Sequence, residues 1–594
     1  MKTPSFWNAT PQVPDYSAMG RAFVDMAQNA MAAQRSFAQR AMSPGATPAD
    51  PTRALESAAA AGWALWSDPQ RMFEVQAEAL RLWGELIENT TRRALGEEIA
   101  PLAAPAKGDR RFKDADWDAP GFDFIKQAYL LMADRLEKLV DTAAIGAEDK
   151  VRASFLARQF IAAASPANFP HTNPVVVKRT LETGGVNLVT GAANLLSDAA
   201  EGQGIVRRRA TEDFEVGRTL AATPGAVVYQ NELMQLIQYA PTTEKVVQRP
   251  VLLVPPMVNK FYLFDLQPKS SFLKWLVDQG HTVFVISWAN PSEDQRDKDL
   301  TAFVKEGPVE ALRAIEQATG ETAVDLIGFC LGGTLTSIAL GYLQQIGEAD
   351  RAASATLIGA LTDFADLGEW SAFLGEEDVD AFAKYLAEKG FVEAHDLQRL
   401  FSVVRANDLV WGPFVAHYLL GEETPASDLL YWFNDGARIP EGLLNSYLRQ
   451  VIRDNGLTEP GKVKIDGKGI DLSKVTTPVR FVSMKEDHVT GWKATYSGMS
   501  MFGGETEFLM GGSGHNAGVI NPPAANKHGY WTSKARPATA EEWLEGAQRH
   551  EGSWWTYWQS QVAKGQKKVD ARVPGDGKLK AIEAAPGSYV RVRH

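Results

Sequence analysis

Cysteine is almost absent from this chain of 594 residues, which contains a single one, Cys330. One cysteine excludes a disulfide within the chain and excludes any metal site built from several thiolates of the same chain. The thiol therefore serves either as a small core residue or as a nucleophile. Composition alone favours the core role, so the choice between the two roles depends on the residues around Cys330.

Long apolar runs are lacking as well. The amino-terminal residues contain no apolar core of a secretory signal, and runs such as 282–288 are too short to cross a bilayer. Positive charge is not in excess either: 61 basic against 73 acidic residues give a net charge of -12, which favours neither nucleic acid nor an anionic membrane. We expect an intracellular protein with no transmembrane segment and no nucleic-acid partner.

The amino-terminal part reads as helical. Apolar residues recur every three or four positions over 19–37 and again over 73–87, where Asp68 and Pro69 supply a cap and a first turn. We predict a helical amino-terminal domain over 1–205, with flexible connections rich in proline and alanine at 43–52 and 100–107. Its apolar stripes can pack against the rest of the protein, a second copy, another protein or a lipid-like surface.

The remainder, 206–594, has the pattern of an α/β domain. Short apolar runs bounded by glycine and proline predict strands at 251–254, 282–288, 323–327, 355–358, 479–484 and 505–510. The spacing of most of these runs leaves room for crossover helices, which indicates a mostly parallel, doubly wound sheet. The aromatic-rich interval of about 361–474 breaks this rhythm, and we predict an inserted cap there. The cap either shields the reaction from water or is an ordinary insertion with its own core.

The surroundings of Cys330 favour the nucleophile. Gly328 and Gly332 flank it at a distance of two residues, after a predicted strand and before a predicted helix at 334–342. This is the nucleophile elbow of the α/β-hydrolase fold with cysteine in place of serine. The amino-terminal end of the following helix stabilises negative charge, and the backbone N–H of Leu331 is the first candidate oxyanion donor.

The partners of a nucleophile in this fold follow it in the order acid, then histidine. Asp487 lies in the segment that follows the predicted strand at 479–484, and Glu486 is its rival. His515 lies in a glycine-rich loop after the next predicted strand and alone among the nine histidines meets the conditions of order and placement. A second oxyanion donor should come from the loop after 251–254, where the N–H groups of Met257 and Val258 are both candidates.

Several segments together carry a resemblance to a known family. They are GFCLGG at 328–333, VPPMVNKFY at 254–262, SWANP at 287–291, EDH at 486–488 and SGHNAGVINPP at 513–523, with upstream matches at 109–131 and 217–239. This set resembles the polyhydroxyalkanoate synthases of the class I, single-subunit type. The resemblance covers about residues 109 to 560, and the first hundred residues match no known motif.

The resemblance implies an α/β-hydrolase fold with an acyltransferase activity that polymerises (R)-3-hydroxyacyl-coenzyme A into polyester and releases coenzyme A. Cys330 would carry the acyl group, His515 would be its base, and Asp487 would help to activate the incoming hydroxyl of the growing chain. No separate cofactor is implied, because the coenzyme A thioester is the substrate. The resemblance also implies a cytoplasmic homodimer at the surface of polymer granules, with granule-associated proteins as partners. Trp432 resembles a family aromatic that bears on dimerisation.

Two other functions remain open from the sequence. One is an intracellular polyester depolymerase or esterase of the same fold with a cysteine nucleophile. The other is a non-catalytic granule-surface protein that attaches through its amino-terminal helices. The large insertion and the upstream matches favour the synthase over the first, and an intact set of Cys330, Asp487 and His515 favours it over the second.

Overall fold

The computed structural model describes residues 51–106, 108–201, 214–423 and 427–593. The predicted helix at 19–37 and nearly all of the connection at 43–52 lie outside these ranges. The described chain divides into two compact units. The first contains 51–201 together with 369–378 and 399–423, and the second contains the rest. Two segments of the predicted cap thus group with the amino-terminal helices.

The first unit is helical. Its helices are α1 (Pro51–Trp66), α2 (Pro69–Ala94), α3 (Pro120–Asp141), α4 (Ala147–Ala163), α5 (Pro174–Thr183) and α6 (Val186–Glu201). As the sequence predicts, α2 begins after Asp68, whose side chain accepts a hydrogen bond of 3.0 Å from the Arg71 N–H. The connection at 100–107, which the sequence predicts to be flexible, is anchored to α3. The buried Gln127 side chain accepts a 2.6 Å hydrogen bond from the Leu102 N–H.

Side-chain packing explains why the two cap segments belong to this unit. The Phe155 ring of α4 packs edge-on against Phe373, with 4.9 Å between ring centroids. The Arg152 guanidinium lies 2.7 Å from the Asp378 carboxylate. On α6, the buried Asp198 accepts a 2.8 Å hydrogen bond from the Tyr418 hydroxyl. Some of the aromatic residues that the sequence assigns to a cap, Phe373 and Tyr418 among them, therefore pack in the helical unit.

The second unit is built on an eleven-stranded sheet. In chain order its strands are β1 (Gly225–Gln230), β2 (Met234–Tyr239), β3 (Val251–Val254), β4 (Val283–Trp288), β5 (Val324–Phe329), β6 (Ala352–Ile358), β7 (Val479–Met484), β8 (Thr506–Gly511), β9 (Tyr530–Thr532), β10 (Gln548–His550) and β11 (Glu583–Ala584). Their order across the sheet is β10-β9-β8-β7-β6-β5-β3-β4-β2-β1-β11. The six central strands, β3 to β8, run parallel, and the outer strands are antiparallel.

Both faces of the sheet are buried, as expected for a doubly wound sheet. Alternate residues of β3 point to opposite faces: Leu252 belongs to one hydrophobic cluster and Leu253 to the other. The helices between residues 272 and 562, which include those of the insertion, are α7 (Phe272–Asp278), α8 (Leu300–Val304), α9 (Glu310–Thr319), α10 (Leu331–Ile346), α11 (Glu376–Lys389), α12 (Ala394–Val404), α13 (Asp428–Asn434), α14 (Glu441–Tyr447), α15 (Trp492–Gly498), α16 (His515–Val519), α17 (Ala540–Gly546) and α18 (Trp554–Val562).

The predicted fold class is confirmed: a mostly parallel α/β sheet with an inserted segment and a helical amino-terminal region. None of the helices within the described ranges combines the length and the apolar character needed to span a bilayer.

Candidate active site

Cys330 occupies the turn between β5 and α10. Its backbone has φ 52° and ψ -126°, a region that residues with a side chain rarely adopt. The Cys330 N–H donates a 2.9 Å hydrogen bond to the carbonyl of Ile358 at the end of β6, which holds the turn against the sheet. The side chain is half-buried. A strained backbone at this position is the feature that the elbow motif predicts.

The two flanking glycines are required by packing. A Cβ atom on Gly328 would lie 2.6 Å from the Cα of Gly333, and one on Gly332 would lie 2.6 Å from the carbonyl oxygen of Pro255. Both distances are shorter than real Cβ contacts. The elbow therefore sits directly against the start of the loop that follows β3, and this close approach is possible only without side chains at 328 and 332.

Asp487 and His515 meet in the structure. The Asp487 Oδ2 lies 2.7 Å from the His515 Nδ1. The rival acid Glu486 is exposed, and its backbone N–H donates a 3.0 Å hydrogen bond to the Ser513 carbonyl. That bond joins the acid loop to the histidine loop, so Asp487 faces the imidazole while Glu486 faces solvent.

The Asp487 carboxylate is held by its own turn. Its Oδ1 accepts hydrogen bonds from the N–H groups of Val489 at 2.8 Å and Thr490 at 2.9 Å, and its Oδ2 accepts one from the Thr490 hydroxyl at 2.9 Å. Burial alone would raise the pKa of Asp487, but the His515 charge and these hydrogen bonds lower it below its usual value. The carboxylate is therefore ionised and oriented toward the imidazole.

His515 is buried, and its ring lies against Phe329, the residue before Cys330, with 4.9 Å between ring centroids. Burial lowers the pKa of this histidine, but the charges of Asp487 and Cys330 and the hydrogen bonds to both outweigh burial and raise the pKa to about 10. Thiol, imidazole and carboxylate are thus brought together, although 185 residues along the chain separate positions 330 and 515. The arrangement places a thiol, a base and an orienting carboxylate together, as nucleophilic catalysis requires.

The local setting of His515 differs from the prediction in one respect. The sequence places it within a glycine-rich loop, whereas it is the first residue of the short helix α16, directly after that loop. The Gly518 N–H donates a 2.8 Å hydrogen bond to the Gly514 carbonyl and closes the first turn. Ser513, two residues before His515, has φ 73°, so the sharp change of direction lies before the histidine.

The loop after β3 carries the candidate second oxyanion donors. Met257 is buried and Val258 is half-buried. The indole N–H of Trp288 donates a 2.9 Å hydrogen bond to the Pro255 carbonyl, and the Val258 carbonyl accepts a 3.2 Å bond from the Ala437 N–H. The loop is therefore fixed on both sides, with its first residues against Gly332. The N–H groups of Leu331, Met257 and Val258 all remain candidates.

Three neighbours of the site have no clear sequence signal. Thr490 ends an Asp-x-x-Thr turn, a pattern that can be recognised once the structure is known. Gly359 follows β6 with φ 49°, and a Cβ there would lie 3.1 Å from the His515 Cε1. Tyr447 of α14 is fully buried, and its pKa is raised by burial and by the charge of Cys330, which places a phenol from the insertion near the nucleophile.

Trp432 is the remaining position that the resemblance singles out, and His281 is a histidine that its place before Cys330 in the chain excludes as the base. His281 is buried, and burial lowers its pKa to about 4. Trp432 of α13 is buried within the second unit, and its indole N–H donates a 2.7 Å hydrogen bond to the Lys260 carbonyl.

Comparison with known proteins identifies the family of the chain. Residues 108–276 match the family described as the poly-beta-hydroxybutyrate polymerase (PhaC) N-terminus, and residues 250–522 match the family described as the alpha/beta hydrolase fold. A poly(3-hydroxyalkanoate) polymerase of Methylorubrum extorquens is 39% identical over 98% of this chain and 99% of its own length. The polymerase subunit PhaC of Rhizobium meliloti is 41% identical over 89% of this chain and 87% of its own length. That of Cupriavidus necator is 38% identical over 84% and 86%, respectively. The chain therefore belongs to the poly(3-hydroxyalkanoate) polymerase family.

Proposed function

We propose that this enzyme polymerises (R)-3-hydroxyacyl-coenzyme A through an acyl group carried on Cys330. The observation that supports the proposal most directly is the convergence of Asp487, His515 and the strained turn of Cys330 at the carboxyl ends of parallel strands. Relatives of the chain named as poly(3-hydroxyalkanoate) polymerases supply the substrate class.

In the first step the Cys330 thiolate attacks the carbonyl carbon of the thioester. The oxygen becomes negatively charged and is stabilised by the N–H of Leu331 and that of Met257 or Val258. The sulfur of coenzyme A leaves and takes the proton from the His515 imidazolium. One thioester replaces another, so this step has little driving force.

Acylation also changes the state of His515. Its pKa is raised partly by the charge of Cys330, and that charge disappears once the sulfur is acylated. The pKa of the imidazole should then fall, which favours release of its proton to the departing thiolate. The neutral imidazole that remains is the form required of a base in the second step.

In the second step the hydroxyl of the growing chain attacks the acyl group. His515, with Asp487 orienting and polarising it, accepts the hydroxyl proton, and the Cys330 thiolate is the leaving group. A thioester becomes a more stable oxoester, and this drives elongation. The cycle ends with the thiolate and imidazolium restored.

Competition from water must be limited, because hydrolysis of the acyl-enzyme would end a cycle without extending the polymer. Buried apolar residues around the site, among them Phe329 and Tyr447, support exclusion of water. A depolymerase of the same fold is the alternative. The upstream family match at 108–276 and the high coverage of named polymerases favour the polymerase.

Incubation of the purified protein with 3-hydroxybutyryl-coenzyme A tests the proposal. We expect free thiol and turbidity to rise together, and Cys330→Ala to abolish both. A hydrolase would release thiol while the solution stayed clear. Full turnover by Cys330→Ala would remove the covalent mechanism.

We further propose a cytoplasmic homodimer at the surface of the polymer granule. The support is a set of large apolar side chains on α1 and α2 that are exposed, namely Trp63, Trp66, Phe73, Leu80, Trp83 and Ile87. A patch of this kind on a soluble protein usually marks an interaction surface. Granule-associated proteins and a second copy are the other candidates for this surface.

A further inference from the structure

A buried ion pair lies next to the loop that carries the candidate oxyanion donors. The Lys260 Nζ is 2.8 Å from the Asp435 Oδ1, and both side chains are almost fully buried. The Tyr262 hydroxyl donates a 2.7 Å hydrogen bond to the Asp435 Oδ2. No step of the proposed reaction uses these groups. We call Lys260, Tyr262 and Asp435 the loop clamp.

The loop clamp is connected to the loop from one side by the chain around Asp435. Asn259 forms an isolated antiparallel bridge with Gly436, and the Ala437 N–H donates a 3.2 Å hydrogen bond to the Val258 carbonyl. The indole N–H of Trp432 donates to the Lys260 carbonyl at 2.7 Å. Residues 258–260 are therefore held along their backbone by the segment 432–437.

The carboxyl-terminal residues approach the same cluster. The Lys260 Nζ donates a second hydrogen bond, of 3.0 Å, to the carbonyl of Val592. The Asn290 side-chain amide donates to that carbonyl at 3.3 Å. The Arg593 Nε lies 3.1 Å from the Asp435 Oδ1, although the arginine side chain is largely exposed. The chain end thus supplies an acceptor to a buried cation.

Stability alone is a poor explanation for this arrangement. Removal of two charges from water costs about as much as their attraction returns, and apolar residues of similar volume often serve equally well. The cluster instead fixes the orientation of the loop, because several hydrogen bonds hold the backbone of 258–260 in place relative to the sheet. Oxyanion donors need such fixed placement, because they act only when their N–H groups point at the developing charge.

We propose that the loop clamp and the carbonyl of Val592 are positioning groups for the oxyanion site. Lys260, bound to both Asp435 and Val592, sets the orientation of the loop whose Met257 or Val258 N–H receives the oxyanion. This inference rests on the proposed function, since it assigns a role to the loop in acyl transfer. It adds that the carbonyl of Val592 positions the oxyanion site without touching the substrate.

A pair of truncations of the full chain tests the proposal. Removal of residues 593 and 594 leaves Val592 as the last residue, and its carboxylate still offers an oxygen to the Lys260 Nζ. Removal of residues 592–594 eliminates that acceptor. Both variants lose the exposed ion pair of Arg593 and end in a new carboxylate, so the difference between them reports the loss of Val592 with the oxygen that Lys260 binds.

Two rates are measured in each variant. Release of coenzyme A from 3-hydroxybutyryl-coenzyme A requires the oxyanion donors, whereas alkylation of Cys330 by iodoacetamide has no oxyanion. We expect the three-residue truncation to lower kcat by roughly tenfold or more, with KM and the alkylation rate little changed. The two-residue truncation should stay within about twofold of the full chain in both rates.

Three results would overturn the positioning role: an unchanged kcat after removal of 592–594, an equal loss in both truncations, or a parallel fall of alkylation and coenzyme A release. Failure of the proposed function looks different, because the full-length enzyme itself would then release no coenzyme A or would do so without Cys330.

Discussion

At the scale of single residues, the site depends on one hydrogen bond between two buried groups, Asp487 and His515. The sequence predicts both residues, because chain order and the ends of strands restrict the candidates. It also leaves Glu486 open, and only the turn formed by Val489 and Thr490 shows why Asp487 is chosen. That turn orients the carboxylate inward, and no pattern of hydrophobicity reports on such an orientation.

The shifted pKa values predict how this pair affects stability with pH. Because the pKa of His515 is raised from 6.5 to about 10, its stabilising interactions are complete below about pH 6.5 and are lost as the pH rises toward 10. Because the pKa of Asp487 is lowered from 3.8, its contribution is present above that value and is lost on acidification. The pair is therefore most stabilising between these limits.

Asp487→Asn removes this interaction. We expect the free energy of unfolding of the wild type to exceed that of the variant most at about pH 6, and the difference to shrink by about pH 9.5. Urea denaturation of both proteins at the two pH values measures it. A difference that stays constant with pH would show that the pair does not titrate as described.

Gly359 contributes to the packing around His515, and no local sequence pattern indicates this role. An alanine there would combine φ 49° with a Cβ 3.1 Å from the His515 Cε1. Gly368 has a similar φ of 54° but open space around its Cα, so Gly368→Ala is a matched control for backbone strain. We expect each variant to lose about 1 kcal/mol of stability, and Gly359→Ala alone to slow coenzyme A release by about tenfold or more. Equal rates in the two variants would contradict the packing argument.

At the scale of elements, the central strands are predictable and the edges are not. The predicted bounds 251–254 and 479–484 agree with β3 and β7, and the other predicted strands differ from β4, β5, β6 and β8 by a few residues. Continuous apolar runs identify strands that are buried on both faces. The outer strands β1, β2 and β9 to β11 are short or mix polar with apolar residues, so pairing across the sheet determines them.

The elbow is the turn that connects β5 of the sheet to α10 and carries the proposed nucleophile Cys330. Gly332→Ala would place a Cβ 2.6 Å from the Pro255 carbonyl, which forces α10 away from the loop that holds Met257 and Val258. We expect a loss of coenzyme A release of about tenfold or more with the Cys330 side chain intact. Gly84→Ala in α2, where a Cβ meets nothing within 4 Å, is the control and should stabilise the protein by about 0.5–1 kcal/mol. Wild-type turnover by Gly332→Ala would mean that the elbow and the loop are not interdependent.

The ion pair of the loop clamp has no counterpart in the local sequence pattern. Lys260 and Asp435 are 175 residues apart, and neither stands in a local pattern that predicts a partner. Charged residues in such positions are read as solvated unless the fold is known. The division of the insertion between the two units was not predicted for the same reason, because Phe373 and Tyr418 find their partners in the distant helical segment whereas Trp432 packs in the second unit.

At the scale of the whole molecule, the enzyme must work beside an apolar product. Substitution of Trp63, Phe73 and Leu80 by serine removes three of the most exposed apolar side chains of α1 and α2. We expect a smaller fraction of the enzyme to sediment with the polymer, because less apolar surface is available for burial, and an unchanged initial rate of coenzyme A release. A shift from dimer to monomer without a change in sedimentation would instead assign the surface to contact between copies.

The measurement that tests the central claim most directly is the mass of the peptide containing Cys330 after brief exposure of the enzyme to a stoichiometric amount of 3-hydroxybutyryl-coenzyme A. We expect a hydroxybutyryl adduct, or an oligomer of it, on Cys330, formed together with free coenzyme A and absent from Cys330→Ala. Release of coenzyme A with an unmodified Cys330 and the acyl group on another residue would contradict it.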